Sequence, residues 1–175
     1  MIKALQRALS CGVCIPLLAF AAPLWADAGD IATLLDQTQP KKALTASDAW
    51  LKDHPDDAQV RFLRGRALAA VGRTDDAIEV FAAMASADPQ LPGPANNLAV
   101  LYAHQGKYEE ARRWLEAAMQ TSPAYAIAHR NLGDVYTALA ALAYSKALEP
   151  DGQPRALGVQ LEMVARLHQS RPAAA

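Results

Sequence analysis

The stretch PGPANNLAVLYAHQGKYEEARRWLEAAMQTSPAY, residues 92–125, reads as two helices separated by one glycine. Leu98-Ala99 and Tyr102 lie before Gly106, and Ala111, Leu115 and Ala118 lie after it, each set spaced to fall on one helix face. Gly106 can take positive φ and end the first helix at no steric cost. Pro123 stops the second. Ala99 and Ala111 let the two helices approach closely, while Tyr102 and Leu115 fill the gap between them.

The same columns recur on both sides. Pro55, Pro89 and Pro123 are separated by 89 − 55 = 34 and 123 − 89 = 34 residues. Ala43, Ala77 and Ala111 keep that interval, as do Gly72 and Gly106, and Leu34, Leu68, Tyr102 and Tyr136. A fixed period of this length marks a stacked helical repeat. The unit before the quoted one, residues 58–91, supplies Gly65, Leu68, Gly72, Ala77, Phe81 and Pro89.

These columns resemble the tetratricopeptide repeat (TPR) family. The resemblance implies an all-α fold, a short right-handed α-solenoid of TPR helix pairs. Arg64 departs from the family's aliphatic preference, and the neighbouring Leu63 supplies part of that packing. Residues 29–57 form a degenerate N-terminal unit: Ala43, Leu44, Trp50 and Pro55 hold register, but Ile31 stands in the small-residue column and Thr38 replaces the glycine. Terminal repeats are commonly atypical.

The fourth unit, residues 126–149, starts in pattern with His129, Leu132, Gly133 and Tyr136. Tyr144 and Ala147 then match Leu115 and Ala118. Tyr136 to Tyr144 spans 8 residues where Tyr102 to Leu115 spans 13, so 13 − 8 = 5 residues are missing, and they are the turn. With no Gly or Pro between, the spacing predicts one fused helix over 126–149. Pro150-Asp-Gly-Gln-Pro154 reads as a turn. A C-terminal capping helix follows within 150–170, about Arg155 to Ser170, and 171–175 is expected to be a disordered tail. Residues 58–149 resemble a group of exported bacterial TPR proteins that share the shortened fourth unit.

Residues 1–28 read as a signal peptide. Lys3 and Arg7 precede an apolar run from Ala8 to Trp25, and Ala26-Asp27-Ala28 offers cleavage after Ala26 or Ala28. The localisation expected is periplasmic; inner-membrane anchoring by an uncleaved signal is the alternative. Cys11 and Cys14 leave with the signal, so their CxxC spacing carries no redox role and no disulfide holds the fold. Removing Lys3 and Arg7 leaves 17 − 2 = 15 basic residues against 18 acidic, a net charge of −3. That balance argues against nucleic acid as a partner. No run of about 20 apolar residues lies beyond the N-terminus, so the mature chain is not expected to span a membrane.

The polar residues suggest no chemistry. His54, His104, His129 and His168 make no HExxH motif and no i, i+4 pair, and no metal or cofactor is expected. No serine sits in a GxSxG setting and no glycine-rich phosphate loop is present. The acidic pairs Asp56-Asp57, Asp75-Asp76 and Glu109-Glu110 are read as complements to helix N-terminal dipoles. The expectation is therefore not an enzyme.

What remains is a surface. In the family the first helix of each unit lines a concave groove. By register, the resemblance places there Gln59, Phe62, Arg66, Ala69 and Ala70; Gly93, Asn96, Val100, Ala103 and His104; and Ile127, Arg130, Asp134, Thr137 and Ala138. Eight of these, Gln59, Phe62, Arg66, Asn96, Val100, His104, Arg130 and Asp134, are the candidate peptide-binding residues. Asn96 and the arginines could bond an extended backbone or an acidic group. The lysines of the family's carboxylate clamp are lacking. The expected function is a scaffold or adaptor holding a protein or peptide. The alternatives are a non-catalytic subunit of an envelope-associated enzyme or assembly complex, and self-assembly through the fused helix.

Overall fold

The computed structural model describes residues 27–148 and 155–169, and among them every regular element is an α-helix. The order is α1 (Ala28–Asp36), α2 (Pro40–Asp53), α3 (Ala58–Ala70), α4 (Thr74–Ala87), α5 (Pro92–His104), α6 (Tyr108–Thr121), α7 (Ala126–Leu148) and α8 (Arg155–Gln169). The all-α helix-pair architecture, the fused helix and the C-terminal helix are all present. The expected signal lies outside the described residues up to position 26, as do the turn at 150–154 and the tail at 171–175. Asp27 and Ala28 lie within them. Asp27 is the N-cap of α1, its carboxylate accepting from Asp30 N–H at 3.0 Å.

The turn inside each unit is the same device repeated three times. Gly72 and Gly106 take φ of 82° and 75°, and Thr38, in their column, takes φ of 55°. In each, the next N–H reaches back to the preceding helix: Gln39 to Leu34 O, Arg73 to Leu68 O and Lys107 to Tyr102 O, at 2.8, 2.9 and 2.9 Å. This bond closes a helix C-terminus when the residue before it is left-handed. The threonine read as a loss of the turn glycine therefore keeps the turn, because the hydrogen bonds on either side of it fix the geometry that its side chain disfavours. The column has no fourth member: its next position falls within α7, which runs on as one helix of 23 residues.

Starts and stops follow the sequence. Asp57 caps α3 by accepting from Val60 N–H at 3.0 Å, and Pro40 and Pro92 sit in the first turns of α2 and α5. Proline is tolerated there because those N–H groups have no partner within the helix. Asp75, Asp76, Glu109 and Glu110 lie in the first turns of α4 and α6, where the helix dipole favours them.

Consecutive helices pack in sequence, and the first helices of units also touch, α1 with α3 and α5 with α7. Three apolar clusters fill the stack. Ile31, Ala43, Val60, Leu63 and Ala67 join α1, α2 and α3. Leu68, Ala77, Phe81, Ala85, Leu98 and Leu101 join α3, α4 and α5. Ala95, Ala99, Ala111, Leu115, Ala118, Ala128 and Val135 join α5, α6 and α7. Alanine supplies much of this core, which brings helix axes close and leaves a few large side chains to carry the burial. Arg64 keeps its aliphatic-column position by turning its guanidinium outward to Asp48, 2.6 Å away, while Leu63 is buried beside it.

Size is traded between paired columns. Gly65 faces Phe81, whose ring atoms stand 2.7 Å from where a Cβ on that glycine would be. The equivalent pair in the third unit is Ala99 with Leu115, both buried in one cluster. In the first unit it is Ile31 with Ser47, both fully buried, the serine hydroxyl donating to Leu44 O at 2.9 Å. By column, each unit so far holds one small and one larger buried residue, a match of size that suits a constant packed volume. Ile31, expected to mark degeneration, is the large member of a reversed pair.

Candidate functional site

The candidate site is the row formed by α3, α5 and α7. Two contacts fix the row. The Phe62 ring of α3 lies 3.3 Å from the Cβ position of Gly93, in the first turn of α5. Asn131 of α7 donates from Nδ2 to Asn96 Oδ1 of α5 at 2.9 Å. The three helices therefore stand side by side, and residues of one column face the same way along them.

The expected groove residues divide into a floor and a rim. Phe62 is half-buried and meets Phe81 edge to face, ring centroids 5.5 Å apart at 60°. Asn96 is buried, with 6% exposure. Its Oδ1 is taken by Asn131. Because every fully enclosed side-chain nitrogen or oxygen among the described residues is bonded, and its Nδ2 has no bond, that Nδ2 reaches solvent. Val100 and Asp134 are half-buried. Gln59, Arg66, His104 and Arg130 are exposed. Of the remaining groove positions, Ile127 is 45% exposed, and the Thr137 hydroxyl donates to Gly133 O at 2.8 Å.

The arginines separate into two sets. Arg61, Arg64, Arg73, Arg112 and Arg166 each pair with a carboxylate. Arg66, Arg113 and Arg130 have no ion pair among the described residues; Arg113, on α6, donates from Nε to Glu109 O at 3.5 Å, while Arg66 and Arg130 belong to the row. They sit on α3 and α7, on either side of α5 and its Asn96. The row thus offers two charged forks and one amide donor above an aromatic and aliphatic floor, an arrangement suited to carboxylate or backbone carbonyl acceptors.

Asn131 went unnoticed in the sequence because its partner lies one period plus one residue away, off the repeat columns. Other polar groups have structural roles. His54 stacks on Trp50 at 4.1 Å with Nδ1 3.2 Å from Trp50 O, and His129 Nε2 lies 2.8 Å from Pro123 O. Trp50 Nε1 donates to Asp57 at 2.9 Å. The Asp57 carboxyl is held below its ordinary value, first by Val60 N–H, with burial opposing and with Trp50, Gln59 N–H and His54 adding to the lowering. No group of three or more His, Cys, Asp or Glu side chains among the described residues could hold a metal ion.

Two family models described as tetratricopeptide repeat match residues 33–92 and 68–124. No curated protein matches the chain. Among solved structures, YrrB, described as a TPR protein with an unusual peptide-binding site, is similar at 29% identity and a TM-score of 0.56. That match covers 59% of this chain and 53% of YrrB, so the chain spans about half of that relative. A thermophilic TPR protein of Thermus thermophilus, TTC0263, is similar at 20% identity and a TM-score of 0.57, over 78% of this chain and 95% of its own. MamA of Desulfovibrio magneticus RS-1 is similar at 18% identity and a TM-score of 0.56, over 83% of this chain and 76% of its own.

Proposed function

The chain belongs to the tetratricopeptide repeat family, and from that premise we propose that it is an exported scaffold or adaptor that holds a protein or peptide on the α3–α5–α7 row. Proteins of this family are generally non-catalytic and act by binding other proteins. One observation carries the choice of surface: among the described residues Arg66 and Arg130 make neither the ion pairs of five other arginines nor the backbone bond of Arg113, and they stand on either side of Asn96. The partner segment presents carboxylates to these two residues and a carbonyl to Asn96 Nδ2, with an apolar side chain over Phe62 and Val100. The peptide-binding description of YrrB supports this reading at the level of the fold.

Export rests on Lys3, Arg7 and the apolar run that follows them. No helix among the described residues is long and apolar enough to cross a membrane. The Asp27 cap supports cleavage after Ala26, since cutting after Ala28 would remove the cap and the first residue of α1.

Affinity capture from envelope extracts tests the reading. The R66E/R130E variant should recover at least about tenfold less partner than the unsubstituted chain, the scale of one lost charge-assisted hydrogen bond of about 1.5 kcal/mol or more. Helical content and melting temperature should be unchanged. Equal recovery by the two chains would place binding elsewhere.

A further inference from the structure

The fourth unit has a vacant place for a helix. In the third unit, α6 covers the face of α5 that carries Ala99 and Tyr102, and in the second unit α4 covers Gly65 and Leu68. The equivalent face of α7 carries Gly133 and Tyr136. Gly65, Leu68 and Ala99 are buried, whereas Gly133 is exposed and Tyr136 is 50% exposed. No described atom lies within 4 Å of a Cβ built on Gly133, where Gly65 has the Phe81 ring at 2.7 Å. Helix α8 packs on α7 and leaves this face open at Gly133 and Tyr136, while Ala140 and Tyr144 further along it are half-buried. Ala147, in the column of the fully buried Ala118, is exposed as well.

The residues that should fill the place are present in the same chain. Ile31–Ser47, Gly65–Phe81 and Ala99–Leu115 are separated by 16 residues each, and Gly133 and Tyr144 by 16 − 5 = 11 once the missing turn is allowed for. Glycine with tyrosine repeats the size match of Gly65 with Phe81. Both now lie on one continuous helix, roughly 16 Å apart along its axis at 1.5 Å per residue. Tyr144 cannot reach its own Gly133.

We propose that a second copy of this chain fills the place, the two α7 helices lying antiparallel so that each Tyr144 seats on the other's Gly133. The pairing is self-complementary: where 133 meets 144, 144 meets 133, and the two-fold axis passes between Ala138 and Leu139. Such an isologous contact closes as a dimer. The small residues Ala140, Ala141 and Ala143 permit the helices to approach closely. Loss of a turn that would let a chain fold back on itself converts an internal contact into one between copies, the usual origin of an exchanged-helix dimer.

Cysteine crosslinking of the full chain in intact cells tests this register. In a background with C11S and C14S, the G133C/Y144C chain treated with a mild oxidant should give a dimer whose linked peptides join 133 to 144. Either single-cysteine chain should give less than about a tenth as much, because like positions lie roughly 16 Å apart along the paired helices. Gly133 is open, so cysteine there is tolerated. A second variant restores the turn by inserting a copy of residues 105–109 between Ala138 and Leu139. It should sediment as a monomer, at half the mass of the unsubstituted chain. The proposal is overturned by a monomeric unsubstituted chain, by a dimer joined at other positions, by a different protein crosslinked to position 133, or by a dimer that survives the insertion.

Discussion

Phe81 lies against Gly65 so closely that its Cε1 and Cζ atoms are 2.7 Å from the point a Cβ would occupy. Phe81 is 1% exposed and belongs to the central cluster that ties α3, α4 and α5 together. Gly65→Ala should therefore destabilise the fold by about 1–3 kcal/mol, the range for overpacking a well-filled core, although alanine is the better helix former. Urea unfolding followed by circular dichroism measures it. The double variant G65A/F81L should recover most of the loss, since it recreates the Ala99–Leu115 pair; additive losses would show that the two side chains do not share one gap.

Thr38 is a local conflict that the fold tolerates. It holds φ of 55° in a turn whose other members are glycines. A β-branched residue in this region costs roughly 1–2 kcal/mol relative to its usual conformations. Thr38→Gly should raise stability by about 1 kcal/mol and increase the melting temperature. The reverse substitutions, Gly72→Thr and Gly106→Thr, should each lower it by a similar amount. The backbone alone sets that cost, because no described atom lies within 4 Å of a Cβ at either glycine.

Asp57 links pH to the second turn of the stack. It caps α3 through Val60 N–H and accepts from Trp50 Nε1 at 2.9 Å, which anchors the end of α2. Its folded-state acidity is stronger than the ordinary value of 3.8. A carboxyl lowered on folding contributes stability that is complete above its unfolded value and disappears as pH falls through the folded one. Asp57→Ala should cost about 1–2 kcal/mol at pH 7, the range for a helix cap. The gap between variant and unsubstituted chain should narrow as the pH drops below 3.8. A gap that stays constant down to about pH 2 would mean that the charge of Asp57 contributes nothing.

The Asn96–Asn131 bond crosses from α5 to α7 in the middle of the row. Asn131→Ala leaves Asn96 Oδ1 buried without a donor and should cost about 1–3 kcal/mol. The N96A/N131A double variant should lose at least about 0.5 kcal/mol less than the sum of the two single variants. Thermal or urea unfolding of all four chains closes the cycle.

Much of the stack was legible because it repeats. The prolines, the turn glycines and the small-residue columns each follow from backbone geometry, so one period fixed the helix pairs and the missing five residues fixed the fused helix. Gly133 marks where the period stops being informative. Its column implies a close helix neighbour, but the deletion that fuses α7 removes that neighbour from the chain, and a column carries no record of what lies opposite. Ile31 and Thr38 read as decay because each was judged alone; Ile31 is balanced by Ser47 across the gap, and Thr38 by the hydrogen bonds around it. The row of first helices was placed by register. Which of its residues are floor and which are rim depended on contacts between units, such as Phe62 with Gly93 and Asn96 with Asn131, that lie off the period.

The central claim is that a partner lies along α3, α5 and α7, and position-resolved photocrosslinking in intact cells tests it most directly. A photoreactive residue placed at Arg66, His104 or Arg130 should yield a common adduct containing one partner. The same residue placed at Glu79 or Arg113, exposed positions on the second helices α4 and α6, should yield none. Adducts of equal strength from both sets of positions, or from the second-helix set alone, would contradict the account.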